Sequence, residues 1–374
     1  MPKPVCHGIS SKIWYTLTRR FFNTSPSWRS MWDTRAHKPV VVAVGGNSVD
    51  GLENPTANNI ITLHRYNRLV VTHGNGPQVG KILEEAEKAG ITKSLAQCTR
   101  ETQQEIGEDL RRHIYIKANE RHLPPSVEDT VINFTHVFVD PEDPAFKNPT
   151  KYIGREFDRQ TIMLGAREKE NGLYEWKKGS ATWIMKEVPG KPGIFRRVVA
   201  SPKPIKTHPQ DLAEIESGVF LHKIVIAAGG GGVPIFPDGS RAEAVIDKDL
   251  ATALLCRELE AQSLVISTGV RYVAHNFASP KQKDILYYQL KHALRNLKKK
   301  TGEYPAGAMG EKIEAAINAL RFGVNEVMIT HPQASWINGE GTIITRGLDF
   351  TGRLYNLARF LGFAPLELQR WLVT

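Results

Sequence analysis

The sequence reads Ile-Val-Ile-Ala-Ala-Gly-Gly-Gly-Gly at residues 224–232, an apolar β-branched run that ends in four consecutive glycines. Two more stretches have this form: Val-Val-Val-Ala-Val-Gly-Gly-Asn at residues 40–47 and Leu-Val-Val-Thr-His-Gly-Asn-Gly-Pro-Gln at residues 69–78. A buried strand that ends in glycine lets backbone N–H groups approach a bound anion, because no Cβ stands in the way. Three such strand ends predict an anion site at the carboxyl edge of a parallel sheet.

Strand-like and helical segments alternate beyond residue 38. The strand-like runs are Val40–Val44, Leu69–Thr72, Val131–Val139, Ile224–Ala228, Ser263–Ser267 and Glu326–Thr330. The amphipathic helical stretches are Gln78–Ala89, Lys248–Leu259 and Met309–Leu320. This alternation predicts an α/β fold with a doubly wound, mainly parallel sheet. Residues 141–204 interrupt it with many prolines and glycines, and we expect an inserted subdomain there because the stretch is too long for a simple loop.

The composition excludes several classes of protein. The chain has 374 residues, of which 41% are hydrophobic, and it is long enough for two lobes. No run approaches the roughly 18–20 apolar residues that span a bilayer, so we expect no membrane association. The three cysteines are too few and too scattered for a disulfide framework or a zinc site. The net charge of +10 could indicate nucleic acid, but no nucleic-acid-binding motif is present and we expect no such partner.

Much of the positive charge lies in residues 1–38, which contribute +6 of the total. The first 32 residues contain no acidic residue and are rich in Ser, Thr, Arg and aromatic side chains. This composition is typical of a mitochondrial-type transit peptide. A non-targeting extension is the alternative, and the protein would then be cytoplasmic.

The glycine loops favour a phosphate-handling enzyme. Phosphoryl transfer is catalysed mainly by positioning and electrostatic stabilisation. The loops can supply backbone donors, and the helix from Gln78 offers its N-terminal amides to an anion. Neither G-x-x-x-x-G-K-[ST] nor G-x-G-x-x-G occurs at these loops, so neither a P-loop nor a Rossmann site is indicated. A single glycine pair could also form a tight turn without a ligand, and a structural hydrogen-bonding role suits His73 better than catalysis.

Eight stretches, in the order of the family, make the chain resemble carbamate kinases of the amino-acid kinase family. They are Val-Gly-Gly-Asn at 44–47, Thr-His-Gly-Asn-Gly-Pro-Gln-Val-Gly at 72–80, Phe-Lys-Asn-Pro-Thr-Lys-Tyr-Ile-Gly at 146–154, Ser-Pro-Lys-Pro-Ile at 201–205, Ala-Gly-Gly-Gly-Gly-Val-Pro at 228–234, Glu-Ala-Val-Ile-Asp-Lys-Asp-Leu-Ala at 243–251, Thr-Gly-Val at 268–270 and Met-Gly-Glu-Lys-Ile-Glu-Ala-Ala at 309–316. The likeness extends over residues 40–345. The four-glycine stretch and residues 73–80 are its most specific parts.

The resemblance implies a doubly wound amino-acid kinase sandwich. A substrate lobe would cover residues 39–215 and include the protruding subdomain at about 141–204. A nucleotide-binding lobe would cover residues 216–345, and residues 346–374 would form an extra tail. The implied reaction is ATP + carbamate ⇌ ADP + carbamoyl phosphate with Mg²⁺, running toward ATP in arginine breakdown. The resemblance also implies a homodimer.

Residue roles follow from the same resemblance. Lys151, Lys248 and Lys312 would surround the transferring phosphoryl group, with Asp249 orienting the lysines. Phosphate and substrate would be held by Gly45, Gly46, Asn47, Gly74, Asn75, Gly229, Gly230 and Gly231. The nucleotide would be bound by Thr268, Gly269, Val270 and Met309. Lys151 would replace the lysine that other amino-acid kinases carry at the position of Ala43. No side chain is assigned to the metal.

Two alternatives remain open at this stage. The chain could act on a different acid, such as acetylglutamate or glutamate, although Lys151 in its motif argues against that. It could also be a degenerate, non-catalytic paralogue with a binding role. The segment after Asn47 is shorter than in the family, and Glu105 and Glu108 would bring negative charge near the substrate cleft. Arg271 stands where the family usually has aspartate.

Overall fold

An eight-stranded sheet forms the centre of the molecule. The computed structural model describes residues 38–45, 55–91, 93–123, 129–178, 181–298 and 308–346. Within these ranges the helices are α1 (Pro55–His64), α2 (Gly76–Lys88), α3 (Leu95–Glu120), α4 (Pro144–Lys147), α5 (Arg159–Met163), α6 (Pro209–Phe220), α7 (Lys248–Glu258), α8 (Leu290–Lys298) and α9 (Ala308–Phe322). Short 3-10 turns cover Glu170–Gly172 and Gly229–Gly231. The strands are β1 (Val40–Val44), β2 (Leu69–His73), β3 (Thr130–Ile132), β4 (His136–Val139), β5 (Lys151–Asp158), β6 (Ala166–Glu168), β7 (Leu173–Lys178), β8 (Ala181–Glu187), β9 (Ile194–Val199), β10 (Pro204–Thr207), β11 (Ile224–Ile226), β12 (Val233–Ile235), β13 (Ser263–Ser267), β14 (Val273–His275), β15 (Lys283–Ile285), β16 (Tyr287–Gln289), β17 (Glu326–Thr330) and β18 (Thr342–Thr345).

The central sheet is buried on both faces. Its strand order is β16-β18-β17-β13-β1-β2-β11-β3, and every pairing is parallel except β17 with β18. Successive β1 side chains enter two different apolar clusters: Val41 and Ala43 join one, and Val40, Val42 and Val44 join the other. Helices on both faces therefore cover the sheet, as in a doubly wound α/β fold. The predicted fold class is confirmed.

Strands β1, β2 and β11 lie side by side in the centre of this sheet. Val44 pairs with His73, and Ile226 pairs with Val71. Because the three strands are parallel, their carboxyl ends meet at the same edge of the sheet. The glycine loops that follow them are thereby brought together.

The segment predicted as an insertion contains a separate five-stranded antiparallel sheet, ordered β5-β9-β8-β7-β6. It has its own apolar core of Phe157, Ile162, Trp183, Met185 and Phe195. Strand β5 also contacts α2, where a Cβ built on Gly80 would lie 3.6 Å from the backbone nitrogen of Gly154. This contact sets the first strand of the insertion, and with it Lys151, against the main body.

Some element predictions were wrong. Residues 131–139 form two strands rather than one, because the chain turns at Asn133–Thr135, where the Thr135 hydroxyl donates to Asn133 Oδ1 at 2.8 Å. Helix α3 was not predicted at all. The other predicted strands and helices are present; three strands have the predicted bounds, and the ends of the remaining elements differ by at most two residues. The shortened segment after Asn47 contains the ten-residue α1.

The predicted targeting segment, except Lys38, and the predicted tail, except Arg346, lie outside the described residues. Among the residues that are described, no helix is long and apolar enough to cross a membrane.

Candidate active site

Asp249 joins two of the predicted lysines. Its Oδ1 lies 2.5 Å from Lys248 Nζ, and its Oδ2 lies 3.1 Å from Lys312 Nζ. The Asp249 side chain is 2% exposed, so both ion pairs are shielded from water. Burial alone would raise the pKa of Asp249, but the two lysines outweigh that effect and hold the pKa below its usual value. The carboxylate is therefore charged at neutral pH and fixes one end of α7 against α9.

The third predicted lysine enters from the insertion. Lys151 Nζ lies 3.0 Å from Asp247 Oδ2 and 3.3 Å from Glu311 Oε1. Partial burial would lower the pKa of Lys151, but the two carboxylates more than compensate and raise it. The ammonium is thus fully charged at neutral pH.

Asp247 also begins helix α7. Its Oδ1 accepts hydrogen bonds from the backbone nitrogens of Asp249 at 2.9 Å and Leu250 at 3.2 Å, so it serves as the N-cap. One carboxylate therefore fixes the start of α7 with one oxygen and holds Lys151 with the other. Three cations from β5, α7 and α9 face three carboxylates in a single cluster.

A hydroxyl relay fixes α7 on the central sheet. Thr252 donates its hydroxyl to the backbone oxygen of Lys248 at 2.7 Å. The hydroxyl of Thr72 in β2 lies 2.7 Å from Thr252 Oγ1, whose proton is already engaged, so Thr72 is the donor in that contact. The backbone of Lys248 is in this way tied to the strand that ends at His73.

His73 and Asn75 lie beside the four-glycine run. His73 Nδ1 lies 3.2 Å from the backbone oxygen of Gly74, which can only accept, so this nitrogen carries the proton. Burial lowers the pKa of His73 to about 4, and Lys248 adds to the effect. His73 is therefore neutral at physiological pH, which supports the structural role expected from the sequence. Asn75 Nδ2 donates to Thr102 Oγ1 at 2.9 Å.

The glycines at 229–232 are required by close packing against the protein itself. A Cβ on Gly229 would lie 2.4 Å from His73 Nε2, and one on Gly230 would lie 2.0 Å from Asn75 Nδ2. Gly230 also has φ near +62°, a conformation that side chains other than glycine rarely adopt. Some of the backbone donors are already used, since the Gly231 nitrogen donates to the Ala228 oxygen at 3.0 Å. The Gly231 nitrogen is thus engaged within the loop, and the assignment of Gly231 to phosphate binding stays a prediction.

The predicted nucleotide residues lie on the loop after β13 and in the first turn of α9. Thr268 follows β13, and its backbone nitrogen donates to the Thr330 oxygen at 2.8 Å. Gly269 is exposed and Val270 is half-buried. Met309 stands in the first turn of α9 and packs against a core cluster.

The remaining predicted residues are less fully placed. Gly45 and Gly74 follow the adjacent strands β1 and β2, and the Gly74 nitrogen donates to the Val44 oxygen at 3.0 Å. Gly46 and Asn47 lie outside the described residues.

Comparisons with known proteins identify the family of the chain. No family model matches the sequence. Carbamate kinase 1 of Enterococcus faecium is 34% identical over 330 residues, which cover 83% of this chain and 99% of that protein. The carbamate kinase-like protein YahI of Escherichia coli is 36% identical over 318 residues, covering 79% of this chain and 93% of that protein. The chain belongs to the carbamate kinase family.

A solved structure extends the likeness to three dimensions. Carbamate kinase from Giardia lamblia bound to AMP-PNP matches with a TM-score of 0.66 and 28% sequence identity, over 83% of this chain and 99% of that one. The predicted carbamate kinase family and the prediction that the chain is a kinase are confirmed.

This carbamate kinase family member has site residues that the sequence prediction missed. Asp247 and Glu311 both contact Lys151, yet neither was singled out. Asp247 had a signal, because an aspartate directly before an amphipathic run predicts an N-cap. Glu311 had no such signal in the sequence, because acidic residues are common in the first turn of a helix, where they interact favourably with the helix dipole.

Two departures from the carbamate kinase pattern are also placed. Glu105 is exposed, and Glu108 pairs with Arg111 and lines a cleft of about 480 Å³ beside β3. None of the predicted site residues lines that cleft. Arg271 lies 3.7 Å from Glu340, which offsets its charge near the predicted nucleotide loop.

Proposed function

We propose that this protein is an active carbamate kinase that transfers a phosphoryl group between ATP and carbamate. One observation carries the proposal: Lys151, Lys248 and Lys312 come from three separate elements and meet at two neighbouring aspartates. Three carboxylates balance these lysines, and a phosphoryl group that entered the cluster would meet three ammonium groups. Preorganised positive charge of this kind stabilises phosphoryl transfer.

The chemistry suits the residues that are present. Carbamate is already an anion, so its oxygen needs no general base to act as a nucleophile. His73, whose pKa is lowered to about 4, would be a weak base, and this reaction needs none. The main obstacle is repulsion between carbamate and the phosphate chain, and preorganised lysines offset it. Asp249 keeps Lys248 and Lys312 aligned before either reactant arrives.

ATP or ADP would occupy the side of the cleft formed by Thr268, Gly269, Val270 and Met309, with Mg²⁺ on its phosphates. Both carboxylate oxygens of Asp249 are engaged by lysines. Among the described residues, no group of three or more His, Cys, Asp or Glu side chains could hold a metal. This donor set fits a Mg²⁺ ion held mostly by phosphate oxygens and water, as is common for this cation. The ion would neutralise charge on the phosphate chain.

The physiological setting is part of the same proposal. The enzyme would run toward ATP, consuming carbamoyl phosphate from arginine breakdown. It would act as a homodimer on small-molecule substrates. Its leading segment would direct it to an organelle of mitochondrial type.

The test is the formation of ATP from ADP and carbamoyl phosphate by the purified full-length chain, coupled to hexokinase and glucose-6-phosphate dehydrogenase. We expect ATP formation that depends on both substrates and on Mg²⁺. In the opposite direction, carbamate should accept phosphate from ATP, and acetylglutamate and glutamate should not. A protein that binds ADP but forms no ATP would instead support the non-catalytic alternative. Phosphorylation of acetylglutamate or glutamate would support a kinase that acts on a different acid.

A further inference from the structure

Glu311 is the least constrained member of the charged cluster. Its side chain is 46% exposed, whereas that of Asp247 is 10% exposed. Asp247 is fixed by two backbone nitrogens of α7 in addition to Lys151. For Glu311, the Lys151 ammonium at 3.3 Å is the ion-pair partner that the described residues provide. Of the two carboxylates on Lys151, only Glu311 can leave without disturbing a helix end.

The pair also joins the insertion to α9. Lys151 is the first residue of β5 in the insertion, and Glu311 stands in the first turn of α9. An anion that approaches Lys151 must compete with whichever carboxylate is more easily displaced. That carboxylate is Glu311, because it is the more exposed of the two and the described residues give it no second anchor.

We propose that Glu311 is a positioning residue that holds the Lys151 ammonium in the cleft until the phosphoryl group of an anionic reactant displaces it. The inference rests on the proposed function, because it assigns Lys151 to that phosphoryl group. Asp247 keeps Lys151 in place during the exchange. Glu311 thus weakens the binding of anionic reactants and prevents Lys151 from pairing elsewhere when the cleft is empty.

A purely structural role for Glu311 predicts different behaviour. A carboxylate near a helix N-terminus contributes a small, salt-sensitive stabilisation through the helix dipole. Its removal would then lower thermal stability slightly and leave anion binding unaltered. Glu314 is a matched control, because it lies on the same helix three residues later and makes no ion pair among the described residues.

The experiment measures binding of inorganic phosphate to the full chain by ³¹P NMR at fixed ionic strength. Glu311→Gln should bind phosphate about three- to five-fold more tightly than the unaltered chain, the upper range for a partly exposed ion pair. Glu311→Asp, which retains the charge, should restore weaker binding, and Glu314→Gln should change nothing. In turnover, the KM for carbamoyl phosphate should fall by the same factor in Glu311→Gln while kcat changes less than two-fold.

A double-mutant cycle with Lys151→Met decides whether the effect passes through Lys151. In that background Glu311→Gln should no longer alter phosphate binding. An equal gain in phosphate affinity with and without Lys151 would overturn the inference, because it would reflect long-range charge alone. An absence of phosphate binding in all variants would overturn it as well. Coupling without any ATP formation would refute the proposed function instead. Normal ATP formation without coupling would refute only the role of Glu311.

Discussion

Substitution of Asp249 by asparagine tests the centre of the charged cluster. The change removes one negative charge from a side chain that is 2% exposed and contacts two lysines. The new amide can accept from one lysine only, and its NH₂ group must face the other. Lys312 is itself 9% exposed, so its charge would be left poorly compensated in a buried place. Breaking a buried pair in this way typically costs about 3–5 kcal/mol.

The assay is urea unfolding of Asp249→Asn at pH 7, with the exposed Asp284→Asn as the control. We expect a loss of about 3–5 kcal/mol for the first variant and no more than about 0.5 kcal/mol for the second. Because folding lowers the pKa of Asp249, its stabilisation is present above the unfolded pKa and is lost as pH falls through the folded pKa. The difference between Asp249→Asn and the unaltered chain should therefore shrink below about pH 4. A loss under about 1 kcal/mol at pH 7 would refute the reasoning that this carboxylate holds two buried lysines.

Three further outcomes follow from the site. Lys151→Ala should lower kcat by about 10²–10³ with the thermal midpoint nearly unaltered. Substitution of the exposed Lys203 by alanine should have no effect on turnover. Near-normal turnover in Lys151→Ala would remove Lys151 from the mechanism. Gly230→Ala should destabilise the fold by about 2–5 kcal/mol in urea unfolding, because a Cβ would meet Asn75 and φ is positive; an unchanged midpoint would contradict this packing. The ring resonances of His73 should titrate in NMR at about pH 4 and stay constant from about pH 6 to 8, and a midpoint near 6.5 would show that the ring is hydrated.

Much of the fold could be predicted because the sequence signals for its strands and helices are local. The runs at Val40–Val44 and Ile224–Ile226 combine β-branched residues with glycine endings, and these are strands of the central sheet. Helix α3 was missed despite a capping box between Ser94 and Gln97, because its polar residues weaken the apolar periodicity. The break between β3 and β4 was missed because it depends on a contact between distant segments. It depends on Thr135, whose hydroxyl accepts from the distant Ala228 nitrogen at 2.7 Å.

The candidate site was likewise predicted only in part. Motif context brought out Lys151, Lys248, Lys312 and Asp249. The structure pairs Lys248 and Lys312 with Asp249, and it pairs Lys151 with the neighbouring Asp247. Contacts between distant segments cannot be read from spacing, so the role of Glu311 beside a residue 160 positions away gave no sequence signal. The glycine run illustrates a different limit. Its composition indicated open backbone donors, whereas part of its purpose is to accommodate His73 and Asn75.

The most direct test of the account is a crystal structure of the protein with ADP, Mg²⁺ and aluminium fluoride, a mimic of the transferring phosphoryl group. The account predicts that the ammonium groups of Lys151, Lys248 and Lys312 all lie within about 3.2 Å of the fluoride or bridging oxygen atoms, the range of a charge-assisted hydrogen bond. Lysines that remain on their carboxylates, with the mimic bound elsewhere, would contradict it.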